Sequence, residues 1–208
     1  LQGEAEGVSL SSVTPQDREG MKMLVDHVVG QGHRRIGVMT PAMAGSIGRE
    51  RHHGMIEALQ THGIAPAWVS RERGYGIESG YRACREILEQ APGTTCIMAS
   101  NDLAAIGVMN AARDMGLAVP QRLSVTGADG LELHGQVPLT TYASASYTIG
   151  KTAARLLQDV VENPEREPER LRMPVTFLAG QTVAPCQPDD AVVPCRPSPV
   201  RCCRIGGM

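Results

Sequence analysis

Three polar side chains follow predicted strands of this chain. Arg51 comes after the apolar segment RIGVM and a loop of small residues, Asn101 follows TCIMA, and Asp129 follows LSVTG. In an open parallel α/β sheet, ligands bind at the carboxyl ends of the strands, because loops and helix starts converge there. A guanidinium, a carboxamide and a carboxylate offer paired donors and acceptors to neighbouring hydroxyl groups. The spacing therefore predicts a polar site suited to a sugar.

Each of these residues also has a purely structural interpretation. Asn101 and Asp102 both stand where a helix N-cap belongs, and capping alone accounts for one of them more easily than for both. Asp129 beside Gly130 could form a turn, and Arg51 could be a solvated charge on a helix. The prediction of a binding site depends on the three residues occurring together.

The elements that must position these residues alternate along the chain. Apolar residues at three- and four-residue spacing predict helices, and short apolar runs between them predict strands. Helices are predicted at 16–31, 49–62, 77–90, 102–115 and 148–161. Strands are predicted at 8–12, 35–39, 67–70, 95–99, 123–126, 139–143 and 171–178, the last interrupted by Pro174. This order predicts an α/β fold, a parallel sheet with helices on both faces.

Composition and motifs narrow the functional class. The net charge of −2 gives no sign of a basic nucleic-acid surface, and no apolar run approaches the length of a membrane span. The chain has no G-x-S-x-G or Walker motif, and His52 and His53 are adjacent, so they cannot share a metal as an i, i+4 pair would. Two of the six cysteines lie in the body and four near the end, which favours a reducing cytoplasm over a disulfide-built fold. We expect neither an enzyme, nor a cofactor, nor a metal site.

Four segments resemble the lactose/galactose repressor (LacI/GalR) family of transcription regulators. The segment HVVGQGHRRIGVMT (27–40) is similar to the family's "GHrrIg" motif, and IGRERHHGMIEALQTHGI (47–64) is similar to its "R..R..Gf" motif. The segment 78–130 is similar to the "aND" and "vvGyD" motifs, and PLTTYASASYTIGKTAARLL (138–157) to the "PpLTTv" motif. The resemblance covers about residues 8–185 and implies a two-lobed, periplasmic-binding-protein-like fold that holds a ligand in its cleft.

The resemblance assigns roles to the polar residues found above. It implies that Arg51, Asn101 and Asp129 contact the ligand. Tyr75 falls where the family often has an aromatic residue that stacks on a sugar ring, and its structural alternative is core packing.

Further positions come from the resemblance alone. Glu19 falls on a cleft position that often carries Asp or Asn, and Ile106 falls on the contact between the ligand-binding lobes of a dimer. Ser146 replaces a hydrophobic or aromatic cleft residue, and Gly130 replaces a second acidic residue. Both departures leave the identity of the sugar open.

The resemblance also divides the chain. It predicts one complete lobe and the remnant of a second, with the DNA-binding helix-turn-helix absent. The predicted parts are a remnant of the N-terminal lobe at 1–33, the C-terminal lobe at 34–138, a strand and helix returning to the first lobe at 139–165, final strands of the C-terminal lobe at 166–185, and a disordered tail at 186–208.

The function expected from the resemblance is effector binding by a cytoplasmic repressor. The partners expected are a small sugar-like effector, a second copy of the chain, and operator DNA that is bound only through the missing N-terminal domain, with no membrane contact. The alternative is a periplasmic sugar-binding receptor of an ABC transporter, which would share the fold and the cleft chemistry.

Overall fold

The computed structural model describes residues 10–132 and 138–186, which form five helices and eight strands. The helices are α1 (Asp17–Gly30), α2 (Ser46–Thr61), α3 (Ile77–Gln90), α4 (Asp102–Asp114) and α5 (Ser146–Glu162). The strands are β1 (Ser12–Pro15), β2 (Ile36–Val38), β3 (Trp68–Val69), β4 (Cys96–Met98), β5 (Ser124–Thr126), β6 (Thr141–Ser144), β7 (Arg170–Met173) and β8 (Val175–Leu178).

A parallel sheet forms the centre of the larger part of the molecule. Its strands lie in the order β3-β2-β4-β5, and all three pairings are parallel. Single parallel bridges, Thr126 with Thr140 and Asp129 with Ala143, place β6 beside the end of β5. Strand β8 then pairs antiparallel with β6. We call these strands with α1 to α4 the large unit.

Helices cover both faces of this sheet, as predicted, because successive strand residues point to opposite sides. Ile36 and Val38 of β2 pack in one core cluster with the buried residues of α1 and α2. Ile97 of β4 belongs to a second cluster formed with α3 and α4. Since both faces are buried, the central strands β2 and β4 carry no charged or strongly polar side chain and do not alternate.

A small unit consists of β1, β7 and α5. Strands β1 and β7 pair in parallel, and Val13 packs against Ile149 and Leu156 of α5. The chain passes between the small and large units at three places, at Gln16, at Ala145 and at Pro174. These passages lie side by side. The Gln16 backbone N–H donates to the Met173 carbonyl at 2.9 Å, and Ser144, just before Ala145, pairs with Val175, just after Pro174.

The structure differs from the predicted division in two places. Helix α1, predicted with the first lobe, packs in the large unit, because its apolar residues lie in the same cluster as Ile36 and Val38. Strand β7, predicted with the second lobe, pairs with β1 in the small unit. At Gln16 and at Pro174, a single residue separates an element of the small unit from the next element, which belongs to the large unit.

The first strand also lies later than predicted. It was expected at 8–12 and is found at Ser12–Pro15, with the Ser12 N–H donating to the Glu169 carbonyl at 2.8 Å. Pro15 is tolerated in β1 because this strand is an edge strand of a two-stranded sheet, where a missing N–H need not break a ladder bond. The predicted tail 186–208, apart from Cys186, lies outside the described residues, as do residues 1–9 and 133–137. Within the described ranges, no helix is long and apolar enough to span a bilayer.

We predict that Gly20→Ala destabilises the protein by about 1–3 kcal/mol, because it overpacks a full core. A Cβ atom on Gly20 of α1 would lie 2.7 Å from ring carbons of the fully buried Tyr142. Urea unfolding measures this loss. The matched control is Gly30→Ala on the same helix, where a Cβ meets nothing within 4 Å and no loss is expected. Equal stability of the two variants would contradict this account of the packing.

Candidate functional site

A buried guanidinium lies at the centre of the candidate site. Arg51 is 6% exposed, and its Nε donates to Asp17 Oδ1 at 2.8 Å. Its Nη2 donates to Asp129 Oδ1 at 2.5 Å, and its Nη1 donates to the Ser100 carbonyl at 3.1 Å. The structure thus brings Arg51 and Asp129 together, as predicted, and adds Asp17 and Ser100.

Four separate parts of the fold supply these groups. Asp17 is the first residue of α1, directly after β1, and Arg51 lies in the second turn of α2. Ser100 lies between β4 and α4, and Asp129 follows β5. Each group follows a parallel strand, where helix starts and loops meet.

The charges of this cluster stabilise one another. Burial lowers the pKa of Arg51, but the neighbouring Tyr142, Asp17 and Asp129 raise it, and the net result is a pKa above the ordinary arginine value. One guanidinium faces two carboxylates, so the cluster has no unmatched positive charge. The planar fork of arginine suits this arrangement, because it can direct separate N–H groups to separate oxygens.

The backbone at Asp129 is held in an unusual conformation. Asp129 has φ of 124°, a value that residues other than glycine rarely adopt, and Gly130 follows at φ of 71°. The Asp129 N–H donates to the Tyr142 carbonyl at 3.0 Å, which ties the loop to β6. Sparsely populated backbone conformations cluster at binding sites, where the surrounding structure maintains them.

The neighbouring carboxylate, Asp102, supports this loop. Its Oδ2 accepts from the Leu131 N–H at 2.7 Å, and its Oδ1 accepts from the Thr141 hydroxyl at 2.7 Å. Burial raises the pKa of Asp102, and although these two hydrogen bonds lower it, the net shift is upward. Asp102 therefore holds the Asp129 loop in place, and Asn101 rather than Asp102 is the helix cap.

Asn101 caps α4 through one half of its amide. Its Oδ1 accepts from the Ala104 N–H at 2.9 Å, which satisfies a helix-start donor. Asn101 is 6% exposed and adjoins Ser100, whose carbonyl binds Arg51. The cap involves only the amide oxygen, so the amide NH₂ group is the donor that Asn101 can offer to a ligand.

Tyr75 lies over the start of α2. Its hydroxyl donates to the Ala42 carbonyl at 3.3 Å, and a Cβ on Gly48 would come within 2.8 Å of that hydroxyl oxygen. The adjacent Gly74 carbonyl accepts from the Ser100 hydroxyl at 2.6 Å. Burial raises the pKa of Tyr75, and although Arg51 lowers it, the net shift is upward. Ser100 therefore connects the two parts of the site, since its hydroxyl binds Gly74 beside Tyr75 and its carbonyl binds Arg51.

Three predicted positions lie apart from these contacts. Glu19 is exposed and pairs with Lys22 at 3.8 Å. Ser146 is exposed at the start of α5, with its hydroxyl 3.3 Å from that of Ser144. Ile106 is half-buried on α4. Their predicted roles remain predictions.

Two residues of the cluster were missed in the sequence. Asp17 lies in the helix predicted at 16–31 and Tyr142 in the strand predicted at 139–143, and the sequence assigned no role to either. The strand-end argument would have found Asp17 if β1 had been placed at Ser12–Pro15, because Asp17 follows it closely. Tyr142 gave no such signal, since its hydroxyl reaches Asp17 across 125 positions of sequence.

A cavity of about 120 Å³ opens beside Asp17, between the small and large units. Its lining comes from the end of β1, the start of α2 and from β7, and includes Thr14, Ser46, Arg49, Glu50 and Arg172. Across it, Arg172 of the small unit pairs with Glu50 of the large unit at 3.2 Å. In the part of the chain that the structure describes, no group of three or more His, Cys, Asp or Glu side chains could hold a metal ion.

Comparisons of sequence agree with this fold. The family model for the periplasmic binding protein-like domain matches residues 25–183. The HTH-type transcriptional repressor PurR of Escherichia coli O1:K1 / APEC is 30% identical over 186 residues, which are 88% of this chain and 54% of PurR. The chain thus spans about half the length of this relative.

Comparisons of structure give the same family. The complex of the transcriptional regulator CelR with cellobiose has a TM-score of 0.80 at 26% identity, over 87% of this chain and 57% of CelR. A LacI family regulator from Enterococcus faecium with bound ribose has a TM-score of 0.77 at 27% identity, over 88% and 69%. A dimeric Lac repressor has a TM-score of 0.78 at 25% identity, over 89% and 68%. All four named proteins are repressors or regulators, in line with the expectation that the chain is not an enzyme.

We predict that Arg51→Ala costs about 3–5 kcal/mol of unfolding free energy, because it leaves the buried Asp17 carboxylate without its cation. Urea unfolding measures this loss. The control Arg85→Ala removes an exposed arginine paired with Glu89, and should cost about 1 kcal/mol or less. A loss for Arg51→Ala no larger than that for the control would contradict the account.

Proposed function

The chain belongs to the periplasmic binding protein-like domain family, as an effector-binding domain of the LacI/GalR type, and on this premise we propose that it binds a small sugar or sugar-like effector as part of a transcriptional repressor. The observation that carries the proposal is the buried guanidinium of Arg51, held by carboxylates and a carbonyl at the strand ends beside a cavity.

The chemistry of the cluster suits a polyhydroxylated ligand. In the part of the chain that the structure describes, Arg51 uses three of its five N–H donors, and one on each terminal nitrogen remains for a ligand. Asp129 offers acceptors beside these donors, and Asn101 offers its NH₂ group. A sugar hydroxyl both donates and accepts, so two neighbouring hydroxyls fit such a set. Tyr75 could cover the apolar face of the ring.

The effector would act by closing the cleft between the small and large units. Three adjacent chain passages join the units, and a ligand that contacts both sides would favour the closed arrangement. It can shift the equilibrium only by the difference in its affinity for the two arrangements. The Glu50–Arg172 pair across the cavity is exposed enough to contribute little by itself.

The partners proposed for the whole protein follow from its relatives. A second copy would pack through the face of α4 that carries Ile106, since a related Lac repressor is dimeric. Operator DNA would be bound by a helix-turn-helix of the kind named in PurR, outside the residues described here, and the protein would act in the cytoplasm. These relatives favour the regulator over the receptor of a transporter.

We predict that a sugar which stabilises the parent chain will fail to stabilise Asp129→Asn or Arg51→Lys. Thermal unfolding is measured with a panel of unphosphorylated sugars that includes ribose and cellobiose, the ligands named for two relatives. A sugar at a hundred times its dissociation constant adds about 2.7 kcal/mol of stability to a protein that binds it.

The control variant is again Arg85→Ala, whose side chain is exposed on α3. It should keep the full stabilisation by the sugar, as the parent does. A sugar that stabilises Asp129→Asn and Arg51→Lys as strongly as the parent would show that this cluster is not the binding site.

A further inference from the structure

One residue of the cluster, Tyr142, contacts all three of its charged members. The Tyr142 hydroxyl donates to Asp17 Oδ1 at 2.5 Å, and the same oxygen accepts from Arg51 Nε at 2.8 Å. The Arg51 Cζ atom lies 5.7 Å from the centre of the Tyr142 ring. The Tyr142 carbonyl accepts from the Asp129 N–H at 3.0 Å.

The ring of Tyr142 has little freedom to move. It is completely buried, and its carbons lie so near Gly20 of α1 that a Cβ atom there would clash at 2.7 Å. The ring is therefore held between the backbone of α1 and the guanidinium of Arg51. A fixed ring fixes its hydroxyl, and the hydroxyl in turn fixes the carboxylate of Asp17.

We propose that Tyr142 is a positioning residue for ligand recognition, which sets the direction of the Arg51 guanidinium through the shared oxygen of Asp17. This rests on the proposed function, because it assigns Tyr142 a part in the same site. The Tyr142 hydroxyl and Arg51 Nε–H converge on one oxygen, so the carboxylate cannot turn away without losing both bonds.

Orienting the guanidinium in advance is expected to raise affinity. Arg51 has several rotatable bonds, and a ligand that had to order them would bind more weakly. With Nε held by Asp17 and Nη2 by Asp129, the remaining N–H groups have set directions before the ligand arrives. Tyr142 itself need not touch the ligand to have this effect.

The test is Tyr142→Phe, which keeps the ring against Gly20 and removes only the hydroxyl. The primary measurement needs no ligand and follows the exchange of the Arg51 Nε–H with solvent by NMR in the 208-residue chain. We expect exchange about tenfold faster in the variant, because the carboxylate that holds this proton loses its second bond. The control is Tyr147→Phe, the same change on a tyrosine that is 84% exposed, and it should leave the exchange unchanged.

A second variant, Asp17→Asn, checks the route through the shared oxygen. It should accelerate the same exchange, and adding Tyr142→Phe to it should have little further effect, because the two residues act through one bond system. Unchanged exchange in Tyr142→Phe, or strictly additive effects of the two changes, would overturn the proposal.

Sugar affinity then separates this proposal from the function on which it rests. With a sugar from the panel that binds the parent chain, Tyr142→Phe should weaken binding by about five- to tenfold, and Tyr147→Phe should leave the affinity unchanged. If exchange accelerates but Arg51→Lys itself leaves sugar binding unchanged, the positioning stands and the proposed binding site fails. If exchange is unchanged while Arg51→Lys abolishes sugar binding, the site stands and the positioning role fails.

Discussion

Burying the positive charge of Arg51 is the constraint on which the rest of this structure depends. A guanidinium removed from water must replace its hydrogen bonds to water with bonds to protein groups. An incomplete set of such partners would strongly destabilise the protein. The set here consists of Asp17, Asp129 and the Ser100 carbonyl, which come from α1, the loop after β5 and the loop after β4. Each must reach the arginine on α2, so one charge fixes the relative positions of several elements.

The scaffold meets this requirement through its sheet topology. Parallel strands all end at the same edge, so loops distant in sequence meet there without any long irregular segment. The apolar interiors on both faces hold the strands in register, and Asp102 and Tyr142 then secure the Asp129 loop in its uncommon backbone conformation. The small unit closes over this edge through three adjacent chain passages, so the charged cluster lies where the two units meet.

Much of this could be predicted from sequence, and the failures have a common cause. Hydrophobic spacing predicted α3 at its observed bounds, and the strand-end argument found Arg51 and Asp129. The sequence left open whether Asn101 caps a helix, and the structure shows that it caps α4. Local patterns could not show that α1 packs with β2 rather than with β1, because the apolar face of a helix does not identify its partner. Nor could local patterns show that Tyr142 bonds to Asp17, because the two residues are distant in sequence and meet only when the sheet has formed.

The central claim is that the Arg51 cluster is the ligand site, and NMR titration with the unphosphorylated sugars tests it most directly. The account predicts that one sugar shifts the signals of the Arg51 Nε–H and of the Asn101 and Asp129 amides along a single saturation curve. The Trp68 indole N–H, which donates to Glu86 at 3.1 Å away from the cluster, should stay unchanged. A sugar that saturates the protein while leaving the three cluster signals in place would contradict the claim.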